Sequence, residues 1–131
     1  CMTNALKDGE INPDQINYIN AHGTSTPAGD LVEAKAIKNV FINNSNKIVV
    51  NSTKSMIGHL LGAAGGVEAI VTILSISNKK VHPTINIFEQ DPECDLDFNA
   101  SGSRDLSIEY ALSNSFGFGG TNGSLIFSNF N

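Results

Sequence analysis

Two histidines, a lysine and a glycine-dense aromatic turn carry the chemistry this chain can do, and they fall in three short polar motifs. The first is Asn20-Ala21-His22-Gly23-Thr24-Ser25-Thr26. The second runs from Lys54 through His59 to Gly65, and the third from Asn114 through Phe118 to Asn122. A neutral imidazole donates one hydrogen bond to a carbonyl oxygen without bringing a formal charge. Lys54 and Glu68 read as a pair, because a carboxylate in the first turns of an apolar helix needs a partner. Gly117, Gly119, Gly120 and Gly123 surround Phe118. Such a loop can present a backbone N–H to an oxyanion and let the ring swing. Each feature also has a plainer use: a loop histidine at His22, a helix-start cap at His59, a structural Lys54–Glu68 ion pair, a tight hairpin around a packed Phe118. No nucleophile stands among the three motifs.

Alternating strands and helices must position these residues. Cys1 to Asp8 reads as the end of an amphipathic helix closed by Gly9, and Asn12-Pro13-Asp14 as a turn. Ile16 to Asn20 reads as a strand that delivers His22 just past its end, where ligands bind in α/β sheets. A helix is expected from Asp30, with Asp30 and Glu33 as a capping box and Val32, Ala36, Ile37, Val40 and Phe41 as its apolar stripe. Lys47 to Asn51 reads as a buried strand. Gly62 to Asn78 reads as a helix apolar nearly all round, hence buried, and a body of 131 residues can barely surround it. A partner half or second chain is implied. His82-Pro83-Thr84 opens an extended connection; Ile108 to Ser113 and Ser124 to Phe127 read as an antiparallel pair flanking the third motif. The order β-α-β-α-β-β gives an α/β layered domain with a mixed sheet and a buried central helix, one domain over residues 1–131.

Bulk properties exclude several functions. Hydrophobic content of 40% against 16% charged describes a folding chain rather than a disordered one. Net charge is −5 and the eight Lys and Arg do not cluster beyond Lys79-Lys80, so a nucleic-acid footprint is absent. The apolar run Ala69 to Ile76 is too short to span a bilayer. His22, His59 and His82 lack zinc spacing, and there is no Gly-x-Ser-x-Gly elbow. Cys1 and Cys94, without a secretory signal, suggest a reducing, intracellular setting. The chain begins without methionine and inside an apparent helix, which suggests a piece of a longer protein.

Taken together, the three motifs resemble the C-terminal half of the β-ketoacyl-acyl-carrier-protein synthases, nearest the elongating branch of type II fatty acid synthesis. The resemblance covers essentially all 131 residues and extends to His82-Pro83-Thr84-Ile85-Asn86 and the stretch Asp91 to Phe98. It implies a thiolase-like fold, in which two similar halves stack as α-β-α-β-α. It also implies a homodimeric, cytoplasmic enzyme with a Cys-His-His triad whose cysteine lies in the N-terminal half. Neither Cys1 nor Cys94 matches that cysteine. By the same resemblance His22 and His59 hold the malonyl thioester carbonyl, and Lys54 pairs with Glu68 beside His59. Phe118 supplies an oxyanion-hole N–H and gates the acyl chain. Thr24 and Thr26 hold the pantetheine arm of the substrate, and Gly119 and Asn122 are further substrate-binding positions. Asn20, Glu68, Ser113 and Asn114 match a monovalent-cation site of some relatives. No cofactor is required, since phosphopantetheine arrives on acyl- and malonyl-carrier protein. The expected reaction is a decarboxylative Claisen condensation, for which this chain alone lacks the nucleophile. Two rivals remain: a non-catalytic fragment acting in dimerisation or carrier-protein binding, and a chain-length-factor-like partner. Retention of both histidines and the lysine argues against passive decay. Ala28-Gly29 before Asp30 is a local departure from many relatives, on a loop.

Overall fold

The computed structural model describes residues 1–130. Helix α1 (Met2–Asp8) ends at Gly9, whose N–H reaches the Ala5 carbonyl at 3.0 Å. Strand β1 (Ile16–Asn20) forms the centre of a four-stranded sheet. On one side it pairs in parallel with β2 (Val49–Asn51), Asn20 opposite Asn51. On the other it pairs in parallel with β5 (Tyr110–Phe116), Asn20 opposite Ser113. Strand β6 (Asn122–Ser128) closes the edge antiparallel to β5. The order β2-β1-β5-β6 is the expected mixed sheet. A short antiparallel ribbon, β3 (Lys80–Val81) with β4 (Arg104–Asp105), joins the layers. Two-residue strands carry no readable period in sequence.

A register shift between Ile16 and Tyr18 decides which face each β1 side chain takes. The Asn17 carboxamide oxygen fills the irregularity, accepting from the Glu109 N–H at 2.8 Å. Ile16 and Ile19 then pack with Leu6, Ala34, Ile37 and Leu112 on one face. Tyr18 faces the opposite core with Ile76, Val81, Ile108 and Ala111. Bulges of this kind re-aim side chains near functional ends of strands.

Helix α2 (Pro27–Val40) starts three residues before the expected Asp30. Thr26 is its N-cap, accepting from the Gly29 N–H at 3.2 Å, and Pro27 takes the first helical position. The Asp30–Glu33 capping box therefore does not form. Asp30 instead accepts from the Ser25 N–H, and Glu33 turns inward toward His22. Its inward turn rotates the expected stripe: Ala34 and Ile37 are buried and Val32 is 64% exposed.

Helix α4 (Ala64–Asn78) follows a one-turn helix α3 (Lys54–Ile57) and a 3₁₀ turn at Leu61–Ala63. Within this chain it is buried on one face only, where all-round burial was expected. That face is largely polar: Glu68, Thr72, Ser75 and Ile76 point inward. Ile70, Ile73 and Leu74 face outward, each more than 40% exposed. A solvent-facing helix has the reverse arrangement. The stretch Leu61–Asn78, 18 residues of mean hydropathy 1.4, is longer than the apolar run read from sequence and meets the length and composition of a membrane span. Its ion-paired Glu68 and its packing on β5 place it in the layered body instead.

Candidate active site

His22 follows β1 directly, because the Ala21 N–H continues the β1–β2 ladder to the Asn51 carbonyl at 2.7 Å. The chain then turns at Gly23 with φ +38°. The Ser52 hydroxyl donates to the Gly23 carbonyl at 2.8 Å, and a Cβ on Gly23 would fall 2.7 Å from the Ser52 Cβ. Gly23→Ala is expected to cost about 1–3 kcal/mol, measured as a lowered denaturant midpoint at unchanged slope. The Glu33 carboxylate clamps the same turn, accepting from the His22 and Gly23 N–H groups at 2.9 Å each. Asn114 Nδ2 donates to Glu33 Oε1 at 3.1 Å, and Asn114 Oδ1 accepts from the Ser124 hydroxyl at 2.7 Å. Burial pushes the Glu33 carboxyl above its ordinary range, while the Gly23 and His22 N–H groups pull it back.

His59 lies in the connection between α3 and α4, released from α3 by Gly58 at φ +76°. Its Nδ1 accepts from the Leu61 N–H at 3.1 Å. In the neutral ring the proton then sits on Nε2, which points a donor outward. The rings of His22 and His59 meet edge to face, centroids 5.6 Å apart, and Phe116 lies 5.8 Å from His22 on another side. Burial holds the His22 imidazolium down to about 4, with help from the positive charge of Lys54 and from His59. The ring is neutral wherever ordinary histidines titrate.

That shift has a checkable consequence. A folded-state pKa below the unfolded value means that His22 contributes stability present above about pH 6.5 and lost as pH falls toward 4. Glu33, shifted upward, acts in the opposite sense, so a melting curve mixes the two. The His22 ring resonances separate them. Their titration midpoint is expected below pH 5, and a midpoint near the ordinary value of about 6.5 would contradict the assignment.

Lys54 and Glu68 form an ion pair with both side chains buried, at 4% and 3% exposure. Glu68 Oε1 takes the ammonium, and Oε2 has no hydrogen-bond partner among the described residues. Of the residues expected around a cation, Asn20 is fully buried and donates through Nδ2 to the Glu68 carbonyl at 3.3 Å. Ser113 stands beside Asn20 across β1 and β5. The Asn114 side chain is turned to the opposite face, held by Glu33 and Ser124.

The third motif links β5 to β6. The Gly117 N–H donates to the Thr121 carbonyl at 3.0 Å, and a Cβ on Gly117 would fall 2.9 Å from that oxygen. Gly119 and Gly120 take φ of +75° and +79°. The Phe118 side chain is fully exposed, so the packed-hairpin alternative is set aside. Its N–H makes no hydrogen bond among the described residues. Gly119 and Asn122 are exposed beside it.

Two clefts meet here. One of about 700 Å³ is lined by Thr24, Thr26, Lys54 and His59, and one of about 490 Å³ by His22, Thr24, Phe116 and Asn122. The structure thus gathers His22, His59, Lys54, Glu68 and Thr24, with Phe118 on the adjoining loop. Cys94 is buried and its thiol is pushed upward by burial, opposite to an activated nucleophile; Cys1 is exposed. Among the described residues no group of three or more His, Cys, Asp or Glu is placed to hold a metal ion. Sequence pattern gave no sign of the Glu33 clamp, nor of Thr53 and His82, which hydrogen-bond each other behind the site. The available signal was the run of polar residues, Asn20 and Asn51 through Thr53, at the ends of otherwise apolar strands.

Residues 1–88 match the family model described as "Beta-ketoacyl synthase, C-terminal domain". The chain is 56% identical over 129 residues to a 3-oxoacyl-[acyl-carrier-protein] synthase 2 of Staphylococcus aureus, covering 98% of this chain and 31% of that protein. It is 52% identical over 128 residues to the enzyme of the same name from Coxiella burnetii, again 98% of this chain and 31% of the relative. A type II polyketide ketosynthase, solved in complex with its acyl-carrier protein, superposes with a TM-score of 0.97 at 41% identity over 100% of this chain and 32% of its own. A β-ketoacyl synthase from Burkholderia phymatum gives a TM-score of 0.93 at 41% identity, over 99% of this chain and 31% of its own. The sheet and its flanking helices are therefore those of the thiolase-like ketosynthases, and the chain spans about a third of the length of the relatives it matches. With 88 of its 131 residues inside the family model and a relative more than half identical across nearly all of it, this chain belongs to the β-ketoacyl synthase family and carries that family's C-terminal domain.

Proposed function

We propose that this chain supplies the malonyl-handling half of a 3-oxoacyl-[acyl-carrier-protein] synthase of fatty acid elongation. The observation that carries this reading is the pair of imidazoles, His22 held neutral by burial and His59 presenting Nε2–H, 5.6 Å apart over the Lys54–Glu68 pair. Two preorganised imidazole donors suit an oxygen that gains charge only during reaction.

The carbon–carboxylate bond of the malonyl group breaks, carbon dioxide leaves, and its electron pair forms an enolate whose oxygen accepts from His22 and His59. The enolate carbon bonds to the carbonyl of an acyl-cysteine carried by the N-terminal portion. The Phe118 N–H donates to the resulting oxyanion, whose collapse expels the thiolate and leaves a 3-oxoacyl thioester on the carrier protein. The Phe118 side chain, on its glycine hinge, gates the acyl chain. Thr24 and Thr26 hold the phosphopantetheine arm, and Gly119 and Asn122 contribute to substrate binding. Thr26 accepts from Gly29 and so keeps its own hydroxyl hydrogen for that purpose. No cofactor beyond this arm is needed.

A monovalent cation fits beside Glu68, because Oε2 is a buried carboxylate oxygen left without a hydrogen-bond partner among the described residues. Glu68 and the main chain of Asn20, Ser113 and Asn114 would hold it, and it would neutralise charge without entering any step. The outward apolar face Ile70, Ile73 and Leu74 supports burial of α4 against the N-terminal half in a homodimer. Two unpaired thiols suit a cytoplasmic setting.

One observation favours a second reading. A ketosynthase/chain length factor structure superposes with a TM-score of 0.94 at 35% identity. A non-catalytic partner would assemble or bind carrier protein and need neither imidazole. Release of carbon dioxide from malonyl-carrier protein by this chain co-assembled with an N-terminal ketosynthase portion separates the two. Release that depends on His22 and His59 supports the enzyme, and release indifferent to them supports the partner.

A further inference from the structure

His82 was set aside as a zinc ligand and plays no part in the chemistry above, yet it is built into the back of the site. Its Nδ1 lies 2.8 Å from the Pro83 carbonyl oxygen, and its Nε2 lies 3.0 Å from the Thr53 hydroxyl. A carbonyl only accepts, so Nδ1 carries the ring proton and Nε2 in the neutral ring is an acceptor. The Thr53 hydroxyl hydrogen therefore goes to His82. Thr53 keeps its lone pairs for Asn20 Nδ2, which donates to it at 2.9 Å. The same Asn20 amide reaches the Glu68 carbonyl and the Thr72 hydroxyl, each at 3.3 Å. The His82 main chain is fixed as well, its carbonyl accepting from Asn51 at 2.7 Å and from Asn99 at 3.0 Å.

The connectivity gives this relay its meaning. Asn20 stands two residues before His22, Thr53 immediately before Lys54, and Glu68 is the partner of Lys54. One chain of hydrogen bonds, buried from Thr53 onward, thus ties together the three segments that bring the condensing groups, and the half-buried His82 supplies its terminal acceptor. Were the ring proton on Nε2, His82 would donate to Thr53. The Thr53 hydrogen would then turn to Asn20 Oδ1, 3.2 Å away, and re-bond the amide. Buried networks fix a unique geometry only when every member is satisfied.

We propose that His82, in its Nδ1–H tautomer, is a positioning residue that orients Asn20 through Thr53 and thereby the His22 and Lys54 segments. The inference deepens the proposed function and rests on it. The test uses this chain co-assembled with an N-terminal ketosynthase portion. With [¹⁵N]histidine in this chain only, just three rings are labelled, and His82→Gln identifies one of them. The His82 proton is expected on Nδ1 and the His59 proton on Nε2. His82→Asn keeps a donor near Pro83 but removes the acceptor for Thr53. It is expected to lower kcat for malonyl decarboxylation about tenfold, with KM within about twofold. His82→Gln, whose amide oxygen can accept from Thr53, should recover to within about threefold of wild type. A proton on Nε2 of His82, an unchanged kcat in His82→Asn, or equal losses in the Asn and Gln variants would overturn the proposal. Absence of condensation by the wild-type assembly would instead count against the proposed function, and the tautomer measurement distinguishes the two failures.

Discussion

Replacing His59 with Ala in the co-assembled enzyme is expected to lower malonyl decarboxylation about 10²- to 10³-fold, the loss typical of removing one preorganised oxyanion donor. His59 is exposed, on a loop, and among the described residues its ring makes a single hydrogen bond, accepting from the Leu61 N–H. Stability should therefore fall by no more than about 1 kcal/mol, since the exposed ring meets only the edge of His22 and one backbone N–H among the described residues. A large loss of turnover with so small a loss of stability assigns the residue to chemistry. The His59 tautomer explains why the loss is large. Its Nδ1 is already engaged by the backbone, so Nε2–H is aimed before substrate arrives and needs no reorganisation. Carbon dioxide release from malonyl-carrier protein reads the effect directly. Unchanged release would remove His59 from the site.

Lys54→Ala acts on the opposite side of the same balance. Both side chains of the Lys54–Glu68 pair are buried, and Glu68 Oε2 already lacks a hydrogen-bond partner among the described residues. Removing the ammonium strands an uncompensated carboxylate against β5, at a cost of about 3–5 kcal/mol. That is a large share of the 5–15 kcal/mol, roughly, that holds a domain together. Denaturant unfolding of the co-assembled protein measures it. The double variant Lys54→Met, Glu68→Gln should regain much of the stability, since a buried ion pair is often replaceable by neutral groups of similar volume. It should not regain decarboxylation, because Lys54 also lines the cleft beside His59. Recovery of both together would mean that the pair is structural only.

The legible part of this molecule was what local chemistry dictates. His22 at the end of β1, the β5–β6 hairpin and the start of β1 at Ile16 follow from alternation, turn residues and position. The Lys54–Glu68 pair followed from the cost of an unpaired carboxylate in an apolar helix. What was not legible depends on tertiary partners. Asp30 and Glu33 have capping-box spacing, yet Thr26 and Pro27 start the helix earlier, and Glu33 finds stronger donors in the His22 and Gly23 backbone. No propensity argument contains that competition. Helix α4 shows the converse. Its sequence announces burial, but its inward face is the polar one, because Asn20, Lys54 and Tyr18 wait for it across the sheet. The relay from His82 to Asn20 joins residues 29 and 33 positions apart and leaves no periodic trace.

The central claim is that two imidazoles in this chain, His22 and His59, complete a condensing site whose nucleophile lies on another segment. The most direct measurement is mass-spectrometric detection of 3-oxoacyl-carrier protein, formed from acyl- and malonyl-carrier protein, by this chain alone and by its assembly with an N-terminal ketosynthase portion. The account predicts product from the assembly and none from the chain alone. Product from the isolated 131-residue chain, or none from a folded assembly whose cysteine is acylated, would contradict it.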